Sequence, residues 1–130
     1  TTNYGIAFFS NTPSTGNRVT GNTLVTSQQR FGGPLIAIKD QDKFYFNNNY
    51  VQGQAVSHNW SHLVLTNVSN STFIRSEFRS PTGDDKGYGG IYIRDAKSQN
   101  NRFDTITFTK LDPGYKDDGQ SNSFTNITYQ

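Results

Sequence analysis

The 130-residue chain contains no cysteine and no methionine, which excludes disulfides, thiol chemistry and cysteine-based zinc sites. Packing and hydrogen bonds must hold the fold. Charge of one sign is also lacking: 12 Lys and Arg stand against 10 Asp and Glu, for a formal net charge of +2. The basic excess of a nucleic-acid-binding domain is therefore missing, and no nucleic-acid partner is expected. No apolar run approaches the roughly 20 residues of a membrane span, so no membrane span is expected. The opening stretch TTNYGIAFF has no basic-then-apolar signal layout. The chain lacks an initiator methionine, from which we expect a single segment, residues 1–130, excised from a longer protein. Hydrophobic residues reach only 32%, against about 45 to 50% in ordinary soluble proteins.

Asn, Ser, Thr and Gly are plentiful, and 10 Phe and 7 Tyr residues need a place to pack. That demand separates the chain from a disordered one. Six-residue units recur along it: VTGNTL from Val19, FNNNYV from Phe46, FIRSEF from Phe73, FDTITF from Phe103 and FTNITY from Phe124. Their first residues are separated by 27, 27, 30 and 21 positions. A second series, LIAI, HLVL and GIYI, places Ile36, Leu63 and Ile91 at intervals of 27 and 28, with GIAF from Gly5 as an earlier member. Two series with one period signal a repeat architecture, in which each unit stacks on the next to bury a face it cannot bury alone.

Thr, Ile, Val, Phe and Tyr dominate the units, so they are β rather than α. The first and sixth positions have opposite parity, so a straight strand could not point both inward and the chain must bend between them. The fourth position, Asn22 and Asn49 and then Ser76, Ile106 and Ile127, is where we expect that bend, because Asn tolerates left-handed backbone. An all-β sandwich is the rival architecture, but the chain has no Asn-Gly hairpin turn.

A strand, a turn, a second strand, a tight bend and a third strand per coil resemble the right-handed parallel β-helix of the pectate-lyase-like superfamily, including phage tailspike segments. The expected fold is all-β, a solenoid of about four to five coils spanning Ile6 to Tyr129. The resemblance implies an internal column of stacked Phe46, Phe73, Phe103 and Phe124. It also places the long connections along one flank, Thr26 to Pro34, Gln52 to His62, Arg79 to Gly90 and Thr109 to Ser121, walling a groove over the first sheet where such proteins hold elongated sugars. Trp60, Tyr88 and Tyr115 lie in these connections, and flat apolar faces with polar edges suit sugar rings. Loop packing is the plainer role for them.

Following the first strand, aligned KDQD, TNVS and RDAK stack Asp40, Asn67 and Asp95. Two coil steps put the carboxylates ~9.6 Å apart, near the upper end of the roughly 6.5 to 9.5 Å of an inverting glycosidase. Acidic residues ending strands also serve as turn-formers. Lys39 and Arg94 share the outer face with Ala37 and Tyr92. In the resembled lyases a basic residue abstracts the proton α to a uronate, a part open to Arg94, while an ion pair with Asp95 is its plainer use. Asp84 and Asp85 in GDDKG lack the spacing of a calcium loop. His58 and His62 are four apart without a third ligand, and Glu77 faces outward. No metal site and no cofactor is indicated. Asn59, Asn67, Asn70 and Asn126 head Asn-x-Ser/Thr triplets, expected by chance in such a composition.

The candidate catalytic residues are thus Asp40, Asp95 and Arg94, and the candidate substrate contacts are Trp60, Tyr92, Lys39 and Tyr88. The resemblance implies a tailspike-like segment that recognises or degrades bacterial surface polysaccharide, assembles as a homotrimer, and sits on a virion tail or outside the cell. A stand-alone carbohydrate hydrolase or lyase, and a non-catalytic structural or adhesive solenoid, are the alternatives. Phe124 and Tyr129 on the last coil call for a cap from flanking sequence or a neighbouring subunit.

Overall fold

The computed structural model describes residues 6–10, 12, 14–26, 33–55 and 60–130, and among these the chain forms 13 β-strands and no helix. In the first sheet β1 (Ile6–Phe8), β5 (Ile36–Asp42), β8 (Leu63–Ser69), β10 (Ile91–Ile93) and β12 (Tyr115–Asp117) follow one another, and the short β2 (Ser14–Thr15) also pairs with β5. In the second, β3 (Arg18–Thr20), β6 (Tyr45–Asn47), β9 (Thr72–Arg79), β11 (Arg102–Thr109) and β13 (Ser123–Tyr129) stack in turn. There β4 (Thr23–Val25) pairs with β7 (Tyr50–Gln52), which pairs with β9. Every pairing is parallel. The chain is a parallel β-solenoid of about four turns with a period of about 27 residues.

Register follows the apolar repeat. Ile36 pairs with Leu63 and Leu63 with Ile91, while Val19, Phe46, Phe73, Phe103 and Phe124 form one cross-strand column. The phenyl rings of that column lie 5.6, 4.7 and 4.5 Å apart from Phe46 to Phe124. These are separations at which aromatic pairs attract beyond their buried area. A second column, Phe78, Phe108 and Tyr129, runs beside it with centroids 6.0 and 5.5 Å apart. Stacking like on like is what a fixed period produces, so a composition poor in aliphatics still fills a core with rings.

The bend falls one residue earlier than expected. The third position of each unit takes the left-handed conformation, with φ of 69° at Gly21, 57° at Asn48, 49° at Arg75, 58° at Thr105 and 52° at Asn126. One left-handed residue reverses the alternation, so positions one, four and six all point inward. Asn49, Ser76 and Ile106 at the fourth position are accordingly buried. Their role is a polar ladder between rungs: the Asn49 Oδ1 accepts from Asn22 N at 3.0 Å, the Asn49 N donates to Ser76 Oγ at 3.1 Å, and Asn49 Nδ2 donates to Val19 O at 2.9 Å. Buried amides persist here because each finds a partner.

A similar ladder climbs the turn between the sheets, where Phe44 N donates to Ser71 Oγ, Ser71 N to Asn101 Oδ1 and Asn101 N to Asn122 Oδ1, at 2.9 to 3.0 Å. Tyr115 departs from its expected place in a loop. It lies in β12 opposite Ile91, packs on the core and stacks on Phe124 at 3.7 Å. Burial raises its phenol pKa. The fifth strand of the first sheet escaped notice because its approach, Lys110 to Gly114, is rich in turn residues.

Candidate functional site: a groove over the first sheet

Strand alternation sends Ala37, Val64, Tyr92 and Lys116 outward in one column, on successive rungs. Ala37 and Val64 are nevertheless only 6% and 4% exposed. Phe9, Pro34, Trp60 and Tyr88 stand beside this face and make it the floor of a groove.

Two cavities lie along that floor. The first, about 510 Å³, is lined by Phe9, Pro34, Lys39, Trp60, Arg94 and Asp95 together with Ala37, Ile38, Val64 and Thr66. The second, about 300 Å³, is lined by Trp60, Tyr88, Tyr92 and Arg94. Trp60 and Arg94 belong to both, so the two are one trough with an indole at its waist. The three column positions that line it, Ala37, Val64 and Tyr92, at ~4.8 Å per rung give a length of about 10 Å.

The walls are positioned by backbone contacts between coils. Trp60 O accepts from Tyr88 N at 3.0 Å, and a side chain at Gly87 would meet that carbonyl oxygen at 2.0 Å, so only glycine lets the two aromatic loops close up. Tyr88 and Tyr92 then contact each other with centroids 4.6 Å apart. Beyond them stands Lys116, with its ammonium 4.4 Å from the Tyr88 ring and 5.2 Å from the Tyr92 ring. The same ammonium lies 3.3 Å from Asp118. Tyr92 donates its hydroxyl to Asp118 at 3.2 Å. Burial, then the bond to Asp118, raises the Tyr92 pKa, and the bond to Asp118 chiefly raises that of Lys116. At this end a phenol hydroxyl and an ammonium share the Asp118 carboxylate.

Lys39 and Arg94 flank Thr66 on the outer face and are exposed. Neither forms an ion pair with a described residue, so Arg94 does not neutralise Asp95. The trough thus offers two cations to whatever enters it.

Asp40, Asn67 and Asp95 do form one column, and Asn67 joins the two carboxylates. Its Nδ2 donates to Asp40 Oδ1 at 2.8 Å, while its backbone N donates to Asp95 Oδ1 and Oδ2 at 3.0 and 3.1 Å. Ser98 also donates to Asp95 Oδ1 at 2.6 Å. Asp40 and Asn67 sit in the left-handed region, with φ of 57° and 51°, so the column also bends the first sheet. Asp95 reaches the groove and Asp40 is not among its lining residues.

The remaining sequence candidates lie elsewhere. His58 and Asn59 fall outside the described residues. His62 is buried, with Nε2 2.7 Å from Gly53 O and Nδ1 3.4 Å from Gly89 O, and burial lowers its pKa. Asp85 ties two connections together by accepting from Ala55 N and Gly87 N at 2.9 and 2.8 Å, and Asp84 pairs with Lys86 at 2.8 Å. Among the described residues no three His, Asp or Glu side chains gather as a metal site. Phe9, 56% exposed, is the groove aromatic that sequence reasoning missed. Its only signal was an extra bulky residue just past GIAF.

The fold and groove define a β-solenoid protein with an aromatic, cationic trough over one sheet. No family model, curated protein or solved structure matches the chain, and the fold itself is that of a parallel β-solenoid.

Proposed function

We propose that the groove over the first sheet binds an extended surface polysaccharide of bacteria, in the manner of a phage tailspike segment acting outside the cell. The observation that carries this reading is the convergence of Phe9, Trp60, Tyr88 and Tyr92 with Lys39 and Arg94 in one trough. Aromatic faces accept the apolar faces of sugar rings. Lys39 and Arg94, unpaired among the described residues, favour a glycan bearing carboxylates or other acidic groups.

Binding comes before cleavage in this reading. Asp95 is held by three hydrogen bonds and linked through Asn67 to Asp40, a pattern that serves the backbone as well as any chemistry. If the trough cleaves, Asp95 is the carboxylate in reach of the substrate, beside Arg94. The homotrimer belongs to the same proposal, since a neighbouring subunit would cover Phe124 and Tyr129.

The test is affinity for acidic and neutral capsular polysaccharides, with Trp60→Ala and Arg94→Ala as variants. Loss of a stacked indole corresponds to roughly 1.4 kcal/mol, a tenfold weaker Kd. Wild-type affinity in both variants would refute the groove. Release of reducing or unsaturated ends, abolished in Asp95→Asn, separates an enzyme from a binder.

A further inference from the structure

The second sheet carries its own groove, which the function proposed above does not use. It follows the left-handed bend of each rung and encloses about 480 Å³, lined by Asn22, Asn48, Tyr50, Arg75, Glu77 and Thr107 among others. Thr23, Tyr50, Glu77 and Thr107 form its outward column, in register on successive rungs. Gly21, Asn48, Arg75 and Thr105 form the bend beside it.

Three side chains give this groove a chemistry that a bend alone does not need. Arg75 and Glu77 are two residues apart on one strand yet do not pair with each other. Arg75 Nε donates to Asn47 Oδ1 at 3.1 Å on the preceding rung, while Glu77 Oε2 accepts from Thr109 Oγ1 at 3.0 Å on the following one. They are drawn in opposite directions, leaving guanidinium donors on one side and a carboxylate acceptor on the other. Tyr50, whose hydroxyl donates to Gln52 Oε1 at 2.7 Å, is thereby laid along β7 with its ring half-exposed.

We propose that this corner groove is a second saccharide-binding site, selective for a neutral glycan. A pyranose presents vicinal hydroxyls, each both donor and acceptor, and one apolar face. Guanidinium, carboxylate, amide and threonine hydroxyl groups match the hydroxyls, and the tyrosine ring matches the face. The charges of Arg75 and Glu77 cancel, whereas Lys39 and Arg94 leave the first groove cationic. The solenoid therefore holds two glycan segments of different charge on its two sheets, and a polymer engaging both gains by effective concentration. The corner groove shares no lining residue with the first groove.

The experiment follows backbone amide shifts of Glu77, Thr105 and Thr107 by NMR in Trp60→Ala protein, so that the first groove is weakened. The probes are maltohexaose, cellohexaose and chitohexaose, with hexagalacturonate as the charged comparison. At least one neutral probe shifts these amides saturably, more strongly than hexagalacturonate, and Tyr50→Ala weakens its Kd at least fivefold. Thr107→Arg, an outward substitution that fills the groove, abolishes the shifts, and unchanged spectra elsewhere show that both variants fold. The proposal is overturned if no neutral probe shifts the amides at millimolar concentration, if hexagalacturonate is preferred, or if the shifts survive both variants. Shifts here with no effect of Trp60→Ala on polysaccharide affinity would sink the first groove and leave this one standing.

Discussion

Thr105 is the most exposed test of how the rungs bend. It is a β-branched residue held at φ 58°, where an L-residue pays roughly 1 to 2 kcal/mol, while Asn occupies that region routinely and already does so at Asn48 and Asn126. Thr105→Asn recovers most of this strain. The loss of the surface hydrogen bond from Thr105 to Asp104, 3.0 Å long, offsets up to about 0.5 kcal/mol. The net expectation is a gain of about 0.5 to 1 kcal/mol. Unfolding entropy of roughly 2.1 cal/mol/K per residue over 130 residues converts this to a rise in Tm of about 2 to 4 °C. The control is Thr107→Asn, two residues on in the extended part of β11, where Thr107 pairs with Glu77 and Thr128. Asn is disfavoured in strands, so that change lowers stability by a few tenths to about 1 kcal/mol. Thermal unfolding followed by circular dichroism reads both. A destabilised Thr105→Asn, or an equal gain at Thr107, would refute the placement of the bend at the third position.

Phe73→Ala removes a fully buried ring from between Phe46 and Phe103 and is expected to cost about 3 to 5 kcal/mol. Phe124→Ala, on the last and half-exposed rung, should cost less than half as much in the same urea titration; equal losses would contradict a core built rung by rung. Gly114→Ala drives a methyl to 2.2 Å from the Phe108 ring and should be at least as damaging as overpacking by a methylene, about 1 to 3 kcal/mol, whereas Gly83→Ala meets only Lys110 Cβ at 3.9 Å and its cost is the backbone strain of an alanine at φ 83°, about 1 to 2 kcal/mol. For His62, burial lowers the folded pKa below the unfolded 6.5, so the unfolded chain takes up the proton first and stability falls as pH drops below about 6.5. Urea midpoints at pH 7.5 and 5.5 should show this fall, smaller in His62→Asn; an identical pH dependence in that variant would remove His62 as the cause. Light scattering should give a trimer, and a folded, soluble monomer would count against a subunit cap over Phe124 and Tyr129.

The period of the apolar residues by itself determined the solenoid, because a parallel stack buries the same position on every rung and so writes one residue type repeatedly into the chain. Phe46, Phe73, Phe103 and Phe124 were legible for that reason, as were Ile36, Leu63 and Ile91. The column of Asp40, Asn67 and Asp95 was legible too, since register carries polar residues along with apolar ones. The direction of each side chain at a bend was not. A single φ reversal exchanges inward and outward, and Asn suits both a left-handed position and a buried ladder, so Asn48 and Asn49 could be told apart only by the folded backbone.

Tertiary structure alone also decided which outward residues meet. Trp60, Tyr88 and Phe9 come from connections of irregular length, and their convergence over Ala37 and Val64 depends on loop contacts such as Trp60 O to Tyr88 N. The separation of Arg75 from Glu77 likewise depends on hydrogen bonds to Asn47 and Thr109 on neighbouring rungs. A repeat specifies its core locally, rung on rung. The walls over its outward columns, Phe9, Trp60 and Tyr88, come from outside the repeat, so their meeting is settled by three-dimensional contact and leaves no period to read.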